Sequence, residues 1–356
     1  MRKRLLIVVG STGGHYFPGL ALAESLREKD PSLGIRFAGE QKVSRLDIWR
    51  KKGFEFVVLP VLKRPKGSLH ACAFPFRCIR TLLNTMRMLD EDPADLVVGM
   101  GSYTSLFPGL ACRCTGRKML LHEQNYRPGL ANRILSLLGV PVALTFPETR
   151  RFLRKYAGVT GMPVRGEFSS GTGNAAKFGL DASRKTILVL GGSQGATFIN
   201  MLAIRLPEYL DPKEFQIAHL SGSRDFSLVR DAYAKTGFPA MVKDFSFDVP
   251  ELFAIASYAV ARAGAGTVAE LTAMRVPSVL IPYPYSGNHQ RYNARYLEKR
   301  GICVLLSQER ATPESLYEAI MELDRTRTEI MKHFTDAGIA DTRGALAATC
   351  MERLYG

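Results

Sequence analysis

Short runs of aliphatic and β-branched residues alternate with longer stretches of helical periodicity along most of the chain. Helical periods include Gly19–Glu28, Thr197–Tyr209, Gly266–Arg275 and Gln290–Arg300. Strands that alternate with helices are typical of βαβ units, so the pattern predicts an α/β protein with parallel sheets. The predicted strands are Leu5–Val9, Ile35–Ala38, Phe54–Leu59, Leu96–Gly99, Lys118–His122 and Pro141–Leu144 in the first half, then Thr186–Leu190, Phe215–His219, Met241–Lys243, Tyr258–Ala261, Ser278–Ile281 and Ile302–Leu305.

Two glycine-rich turns divide this pattern into two similar halves. Gly10–His15 reads GSTGGH and Gly191–Ala196 reads GGSQGA, and each stands between a predicted strand and a helix. One such unit normally opens a Rossmann-like domain, so two of them predict two such domains. Gly158–Gly173 is polar and glycine-containing, with Pro163 inside it, and is the predicted linker. Ile339–Leu354 is predicted to form a last helix, whose pattern alone does not say which domain it packs on.

The charge of the chain is unevenly distributed. The 356 residues carry a formal net charge of +15, and residues 1–165 hold 27 basic and 12 acidic residues, whereas the remainder holds 21 of each. All of the excess therefore lies in the first half. Such an asymmetry indicates an anionic partner for that half: nucleic acid, a membrane surface or a phosphorylated substrate.

Composition narrows the class and the compartment. Hydrophobic residues make up 46% and charged residues 23%, which excludes a disordered or fibrous chain. The six cysteines show no C-x-x-C and are expected to be free thiols in a reducing compartment. The apolar run after Met1 is too short for a signal peptide, and the longest uncharged stretches are interrupted by glycine or proline. We therefore expect a cytoplasmic protein without a transmembrane anchor.

Several polar residues follow predicted strands, where a parallel sheet exposes its ligand-binding edge. His15 stands there after the first strand, and a histidine suits general-base chemistry at neutral pH, although it could equally be a solvated or capping residue. Glycine turns at a helix N-terminus bring backbone amides to an anion, although each could be a plain turn. Ser193 could offer a hydroxyl to a phosphate.

The segment Ala261–Glu270 reads ARAGAGTVAE and allows two interpretations. Arg262 could face a diphosphate while Glu270 binds the hydroxyls of a ribose. Alternatively, Thr267–Glu270 fits a helix capping box. His122–Asn125 reads HEQN and also follows a strand, which suggests hydrogen bonds to a sugar or base, and Asn288–Gln290 has the same topological position. His70, His219 and His333 lack such placement and are expected to be structural or surface residues.

Basic residues are concentrated in 42–89, which holds 11 of them against Asp47 and Glu55. There Lys63–Lys66 leads to Phe74, Phe76 and a predicted helix. Its arginines are expected on one face and its apolar residues on the other. A basic amphipathic helix beside aromatic side chains suggests docking on a membrane, and the alternative is an ordinary helix that covers the sheet. The arginines are Arg77, Arg80 and Arg87, and the apolar residues are Ile79, Leu82, Leu83 and Met86.

Taken together, these motifs resemble a known family. GSTGGHYFPGL at 10–20, GMGSYTS at 99–105, HEQN at 122–125, GGSQGA at 191–196 and RAGAGTVAE at 262–270 occur in the order seen in the MurG family, which belongs to glycosyltransferase family 28. The motifs span most of the chain. HEQN together with GGSQGA is far more specific than a single glycine loop.

The resemblance implies a GT-B fold, in which two Rossmann-like domains face each other across a cleft. The N-terminal domain would be residues 1–163, with a helix at about 339–356 packing back on it, and the C-terminal domain would be residues 164–338. The implied reaction is an inverting transfer of N-acetylglucosamine (GlcNAc) from UDP-GlcNAc to the N-acetylmuramic acid (MurNAc) 4-hydroxyl of undecaprenyl-diphosphate-MurNAc-pentapeptide in peptidoglycan synthesis. The implied location is the cytoplasmic face of the membrane, as a peripheral protein, and cell-wall synthesis and division proteins are the implied partners.

The resemblance also assigns roles to residues of this chain. Glu270 would bind the ribose, Gln290 the GlcNAc hydroxyls and Ser193 the diphosphate, and His15 is the candidate base. The acceptor side would include Gly13, Gly14, His15 and Tyr103. Independently of the resemblance, the basic amphipathic helix gives Phe74, Phe76, Arg77, Arg80 and Arg87 as the expected membrane-facing residues. The full donor set would be Thr12, Gly13, Gly14, Asn125, Arg165, Ser193, Ser246, Arg262, Ala265, Gly266, Thr267, Val268, Ala269, Glu270 and Gln290.

The sequence departs from the motifs of the family at three places, and two other functions are considered beside the implied one. Ser246 replaces a position that is often larger and apolar in the family. Phe107-Pro-Gly follows the 99–105 loop in place of further glycines, and Ser286-Gly-Asn288 precedes Gln290 in place of charged residues. A related GT-B enzyme, such as a glycolipid synthase or a UDP-GlcNAc epimerase, is one alternative. A nucleic-acid-binding protein is the other, although it would leave both glycine loops unexplained.

No obligatory metal or other cofactor is expected. The single D-x-D motif, Asp90–Asp92, precedes a strand and therefore belongs to the edge of the sheet opposite the ligands. Backbone amides at helix N-termini would then stabilise the departing diphosphate.

Overall fold

The computed structural model describes residues 2–62, 74–168, 172–192, 195–285, 287–334, 339 and 343–356. The chain divides into two compact units. Unit 1 comprises residues 1–165 together with 341–356, and unit 2 comprises residues 166–340. The predicted α/β class with parallel sheets is confirmed, because every strand pair in either unit is parallel.

Unit 1 is built on a seven-stranded sheet with the order β3-β2-β1-β4-β5-β6-β7. Its central strands are buried on both faces, which is why they are almost wholly apolar. Successive residues of β1 alternate between two cores, since Leu5 and Ile7 enter one and Leu6 and Val8 the other. The strands are β1 Arg4–Val8, β2 Gly34–Gly39, β3 Glu55–Val58, β4 Leu96–Gly99, β5 Met119–Glu123, β6 Val142–Leu144 and β7 Gly158–Val159.

Helices cover both faces of this sheet. On one face α1 packs with the last helix of the chain, whose Leu346 and Cys350 are fully buried in that core. On the other face α4, α5 and α6 pack side by side. The described helices of unit 1 are α1 Gly13–Lys29, α2 Gln41–Ser44, α3 Ile48–Lys51, α4 Phe74–Glu91, α5 Leu106–Thr115, α6 Leu130–Leu137 and, at the end of the chain, α14 Arg343–Tyr355, with 3₁₀ turns at Tyr103–Ser105 and Pro147–Phe152.

Unit 2 repeats the arrangement on a six-stranded sheet with the order β10-β9-β8-β11-β12-β13. Its strands are β8 Lys185–Leu190, β9 Phe215–Leu220, β10 Ala240–Lys243, β11 Ala256–Ala261, β12 Ser278–Leu280 and β13 Cys303–Leu305. Its described helices are α7 Thr197–Ala203, α8 Phe226–Thr236, α9 Val249–Ile255, α10 Ala265–Ala273, α11 His289–Glu298, α12 Pro313–Arg325 and α13 Arg327–His333, with 3₁₀ turns at Gly166–Phe168, Ala175–Phe178 and Leu206–Glu208.

Some boundaries differ from the predicted ones. The predicted linker begins with an edge strand, because Gly158–Val159 pairs with β6. Helix α1 begins six residues before the predicted start, although Pro18 lies inside it and lacks the N–H for its intrahelical bond. The predicted helix Thr197–Tyr209 ends at Ala203, and a 3₁₀ turn that contains Pro207 follows. The last helix is described from Arg343 rather than Ile339.

The five described cysteines are unpaired thiols, in agreement with their expected reduced state, and Cys72 lies outside the described residues. None of the described helices combines the length and the apolar character needed to cross a bilayer.

Candidate functional site

The loops that follow the carboxyl ends of the strands gather the predicted site residues of each unit at one sheet edge. In unit 1 the segments after β1, β4 and β5 carry His15, Tyr103 and Asn125, with His15 in the first turn of α1, and these three strands are neighbours. In unit 2 the segments after β10, β11 and β12 carry Ser246, Arg262 and Gln290, with Gln290 in the first turn of α11.

The turn after β1 brings backbone close to His15. Helix α1 begins at Gly13, and the exposed Thr12 is its N-cap, whose carbonyl accepts hydrogen bonds from the backbone N–H of His15 and Tyr16 at 2.9 and 3.2 Å. A Cβ atom at Gly10 would lie 2.8 Å from the His15 ring and 2.7 Å from Cβ of Ser102. Gly10 is therefore required for the imidazole to pack against this turn.

The hydrogen bond of His15 fixes its tautomer. Its Nδ1 lies 3.1 Å from the carbonyl oxygen of Met100, and a carbonyl only accepts, so Nδ1 carries the proton and donates. Nε2 is then the ring nitrogen that carries the lone pair. Burial lowers the pKa of His15 below 6.5, while the hydrogen bonds with Met100 and Gln124 oppose that shift. The ring is consequently neutral at pH 7 and able to accept a proton.

Tyr103 lies in the 3₁₀ turn after β4 with about half of its side chain exposed. Its hydroxyl donates to Oε1 of Glu40 at 2.6 Å, and burial together with this carboxylate raises the pKa of Tyr103 to about 12. The preceding Ser102 has a positive φ of 71°. Tyr103 is thus a protonated, fixed hydroxyl at the edge predicted for the acceptor.

The HEQN segment is mostly structural, contrary to the suggestion that all four side chains face a sugar or base. His122, Glu123 and Gln124 are buried. His122 Nε2 lies 2.8 Å from the carbonyl of Gly161, and Gln124 Nε2 donates to the carbonyl of Met100 at 3.1 Å. Strand β5 runs through Glu123, one residue further than predicted, which places these side chains inside unit 1. Asn125 alone is partly exposed.

The buried carboxylate of Glu123 organises the loop after it. It accepts hydrogen bonds from the backbone N–H of Asn125 and of Gly129, both at 3.0 Å, and from Nδ2 of Asn132 at 2.8 Å. Burial raises the pKa of Glu123, and these donors oppose the shift. Glu123 therefore holds Asn125 in place, a role that the sequence pattern did not reveal.

Arg165 belongs to unit 1 at its boundary with unit 2. Its guanidinium carbon lies 4.8 Å from the ring centroid of Phe17 in α1. Burial raises the pKa of the neighbouring Tyr16, and the charge of Arg165 opposes this. Arg165 is thereby placed beside the helix that carries His15.

The second glycine turn in unit 2 is tightly packed. Gly192 and Gly195 have positive φ values of 84° and 73°. A Cβ atom at Gly195 would lie 2.2 Å from the carbonyl oxygen of Ser221, so only glycine fits. Ser193, the predicted diphosphate ligand of this turn, lies outside the described residues.

Arg262 is largely enclosed in unit 2 and bonded to its backbone. Its side chain is buried, with 8% of the residue exposed, and Nη1 donates to the carbonyl of Ile281 at 3.0 Å. Burial lowers the pKa of Arg262 below its usual value. The structure thus places this predicted donor residue inside unit 2, bonded to the loop after the next strand.

The capping-box interpretation of Thr267–Glu270 is wrong. Helix α10 begins at Ala265 with Gly264 as its N-cap, so Thr267 lies within the helix. Ala265, Val268 and Ala269 are buried, so these three predicted donor residues present little surface to a ligand. Gly266, Thr267 and Glu270 are partly exposed, and the first backbone N–H groups of a helix have no partner within the helix.

Gln290 and Ser246 both engage the backbone of their own loops. Oε1 of Gln290 accepts a hydrogen bond from the backbone N–H of Tyr283 at 2.9 Å, so the amide presents its Nε2 donors. Ser246 is buried, and its hydroxyl accepts from the N–H of Asp248 at 3.1 Å. Its exposed neighbours Phe245 and Phe247 form an edge-to-face pair.

Helix α4 exposes part of its predicted apolar side. Its buried positions are Thr81, Thr85 and Leu89. Phe76, Ile79 and Leu83 are 76%, 56% and 58% exposed. The arginines of this helix are also exposed, whereas Phe74 is partly buried, and Lys63–Lys66 lie outside the described residues. The helix therefore covers the sheet on one side and presents a mixed apolar and basic surface on the other.

The acidic segment Asp90–Asp92 is occupied by ion pairs away from the site. Asp90 pairs with Arg117, and Asp92 pairs with Arg36 and with Arg4 at 3.5 Å. Among the residues that the structure describes, no group of three His, Cys, Asp or Glu side chains could hold a metal ion.

Both halves of the chain match family models. Residues 5–138 match the glycosyltransferase family 28 N-terminal domain, and residues 186–342 match the glycosyltransferase family 28 C-terminal domain.

Curated relatives match nearly the whole chain. A protein of Thermodesulfovibrio yellowstonii is 37% identical over 95% of this chain and 94% of its own length. One of Coxiella burnetii is 35% identical over 92% of both chains. Each is named UDP-N-acetylglucosamine–N-acetylmuramyl-(pentapeptide) pyrophosphoryl-undecaprenol N-acetylglucosamine transferase.

Solved structures show the same fold. MurG of Acinetobacter baumannii superposes with a TM-score of 0.77 at 23% identity over 99% of this chain and 100% of that one. A kitacinnamycin glycosyltransferase superposes with a TM-score of 0.73 at 15% identity over 99% of both chains. The predicted GT-B fold is thereby confirmed. The chain belongs to glycosyltransferase family 28 and to its MurG subfamily.

Proposed function

We propose that this enzyme transfers GlcNAc from UDP-GlcNAc to the 4-hydroxyl of the MurNAc residue in undecaprenyl-diphosphate-MurNAc-pentapeptide, with inversion at the anomeric carbon. The names of the relatives supply the substrates. The observation that carries the chemistry is His15, a neutral imidazole at the ligand edge whose Nδ1 proton is held by Met100, so that Nε2 carries the lone pair of the ring.

His15 is the proposed general base. Its Nε2 takes the proton of the 4-hydroxyl as that oxygen attacks C1 of GlcNAc, and the bond from C1 to the diphosphate oxygen breaks on the opposite face. UDP leaves with the electron pair. A positioned base of this kind contributes about 10²–10⁴-fold to the rate.

Unit 2 is proposed to hold the donor. The partly exposed Glu270 would accept hydrogen bonds from the ribose hydroxyls, and the Nε2 donors of Gln290 would reach hydroxyl oxygens of GlcNAc. Backbone amides of the α10 N-terminus and of the glycine turn after β8 would stabilise the negative charge of the leaving diphosphate. This arrangement requires no obligatory metal.

The exposed side of α4 is proposed to rest on the cytoplasmic face of an anionic membrane, which would hold the enzyme near its lipid-linked acceptor as a peripheral protein. Phe76, Ile79 and Leu83 would enter the interface while the arginines meet lipid headgroups. On the same layer of helices, the exposed Leu130 and Leu137 of α6 flank Arg133, which is also exposed.

The transfer itself is tested with radiolabelled UDP-GlcNAc and a short-chain soluble analogue of the lipid acceptor. We expect a labelled disaccharide product and release of UDP only when the acceptor is present. Conversion of UDP-GlcNAc to an epimer in the absence of acceptor would contradict the proposal and favour the epimerase alternative.

Membrane docking is tested by changing Arg77, Arg80 and Arg87 together to Ser. At about 1 kcal/mol per basic residue near an anionic surface, we expect about a hundredfold weaker binding to phosphatidylglycerol vesicles at low salt, with turnover of the soluble acceptor unchanged. The matched control changes Lys213, Lys235 and Arg295, three exposed basic residues of unit 2, to Ser. Equal vesicle binding by both triple variants would exclude α4 as the docking element.

A further inference from the structure

Arg262 occupies an unusual position for a residue at the ligand edge. It follows β11 directly. Its Nη1 donates to the carbonyl of Ile281, which follows the neighbouring strand β12. Only 8% of the residue is exposed. A buried charged group of this kind is retained where its hydrogen bonds fix the surrounding chain.

The same guanidinium also contacts Tyr283, which lies in the loop between β12 and the helix that contains Gln290. Its carbon lies 5.4 Å from the ring centroid of Tyr283, within the range of a cation–π contact. The backbone N–H of Tyr283 in turn donates to Oε1 of Gln290 at 2.9 Å. A continuous chain of contacts therefore runs from Arg262 through Tyr283 to the amide of Gln290.

A second hydrogen bond joins the segment after β12 back to the segment after β11. Asn293, which is fully buried in α11, donates through Nδ2 to the carbonyl of Ala263 at 3.2 Å. The turn that begins α10 and the loop that begins α11 are thus bonded to each other from both sides.

We propose that Arg262 is a positioning residue for recognition of the donor sugar, acting through Tyr283 and Gln290, and that it does not bind the diphosphate. This inference rests on the proposed function. Because Oε1 of Gln290 is already engaged, its Nε2 group donates to acceptors, namely hydroxyl oxygens of the hexosamine. Selectivity between UDP-GlcNAc and its C4 epimer then depends on how accurately Arg262 holds the loop.

The test compares wild-type protein with Arg262→Met, which keeps the length of the side chain and removes its charge and hydrogen bond. Binding of UDP, UDP-GlcNAc and the C4 epimer is measured by calorimetry, and transfer is measured with the soluble acceptor. We expect UDP affinity within about twofold of wild type, because UDP lacks the GlcNAc residue that Gln290 would contact. We expect the preference for UDP-GlcNAc over its epimer to fall at least about tenfold.

Controls separate this role from a general loss of structure. Arg295→Met alters an exposed arginine of α11 and should leave all three affinities unchanged. Glu270→Ala should weaken UDP and UDP-GlcNAc together, which is the pattern of a nucleotide contact. Tyr283→Leu keeps the buried guanidinium and should reproduce the loss of selectivity at about threefold, which provides the readout if Arg262→Met does not fold.

Two outcomes would overturn the proposal. Equal loss of UDP and UDP-GlcNAc affinity in Arg262→Met would make Arg262 a diphosphate ligand. Unchanged selectivity in both Arg262→Met and Tyr283→Leu would remove the contact chain as a determinant. If the proposed function is wrong, wild-type protein gives no labelled disaccharide. The calorimetric comparison of the nucleotides does not depend on transfer and still tests the role of Arg262.

Discussion

The carbonyl oxygen of Met100 illustrates how one backbone atom sets the chemistry of a side chain. It accepts from both His15 and Gln124, so the loop after β4 orients the proposed base that follows β1. Gly10 leaves the space for that ring. The reactivity of His15 is therefore a property of three loops that meet at adjacent strands, rather than of the histidine alone.

The proposed base predicts a one-sided pH dependence. Because burial lowers the pKa of His15 below 6.5, the ring is deprotonated at neutral pH and becomes inactive as it is protonated in acid. We expect kcat/KM for the soluble acceptor to be level above pH 7 and to fall about tenfold per pH unit below the pKa. Initial rates between pH 5 and 9 measure this.

His15→Gln supplies the control for this profile. It should lower kcat by about 10²–10⁴-fold, leave the affinity for UDP nearly unchanged and lose the acidic limb. An acidic limb of unchanged position in His15→Gln would identify another group as the base.

For single residues, the sequence pattern predicts which residues follow a strand end, but it does not predict which way their side chains point. The rule that ligands meet the carboxyl ends of parallel strands placed His15, Asn125 and Gln290 at the ligand edge. It could not show that Glu123 and Arg262 turn inward, because a polar residue at a strand end looks the same whether its partner is a ligand or a distant backbone carbonyl. Only the tertiary neighbours decide between these cases.

Among the elements, the last helix completes one of the two cores of unit 1. Helix α14 packs on α1, and its side chains at Leu346, Ala347, Cys350 and Leu354 are buried in the same core as β1. Near the C-terminal end of this helix, Nζ of Lys118 donates to the carbonyl of Arg353 at 2.9 Å. Elements from the two ends of the sequence thus share one hydrophobic core.

The burial of α14 predicts the cost of truncating one of its side chains. Leu346 is fully buried, so Leu346→Ala should lower the free energy of unfolding by about 2–4 kcal/mol, measured by urea denaturation. Leu228→Ala changes a half-exposed leucine of α8 and should cost less than about 1 kcal/mol. Similar values for the two variants would show that α14 is not part of the cooperative core.

Most elements were recoverable from hydrophobic periodicity, because buried parallel strands and their crossover helices leave strong patterns. Exceptions have local causes. The strand β7 has only two residues and contains a glycine, which is too short for a pattern. Helix α1 extends through GGHYFP, a stretch whose Gly and Pro residues favour a turn by propensity, and tertiary packing overrides that preference.

For the whole molecule, the net charge of +15 is confined to residues 1–165, which belong to unit 1, and the exposed arginines of α4 are part of it. Unit 2 has balanced charge and contains the proposed nucleotide site, which relies on backbone amides and uncharged donors. The charge asymmetry of the sequence thus agrees with the proposal that unit 1 faces the membrane and unit 2 binds the nucleotide.

Buried histidines make the stability of the protein sensitive to acid. Burial lowers the pKa of His122 to about 4 and that of His219 to about 3. His219 has both ring nitrogens engaged, with Tyr233 at 3.1 Å and Asn200 at 3.0 Å. Below pH 6.5 the unfolded chain binds protons that the folded chain does not, so stability falls as the pH falls.

This linkage is measured by urea denaturation at pH 7.5 and pH 5.0. Each of the two histidines should remove about 2 kcal/mol over that interval. Glu123 acts in the opposite direction because its pKa is raised, so the comparison of wild type with His219→Gln isolates one residue. The variant should show about 2 kcal/mol less dependence on pH, and an identical dependence would exclude His219 as a contributor.

The shared core of α1 and α14 has a consequence for biosynthesis. The ribosome makes residues 1–165 first, but the core of that unit stays incomplete until residues 343–355 leave the exit tunnel. Unit 2 is a continuous segment and can finish folding earlier. The order of completion is therefore the reverse of the order of synthesis, and a chain that lacks α14 exposes the apolar side of α1 to chaperones or to aggregation until α14 has emerged.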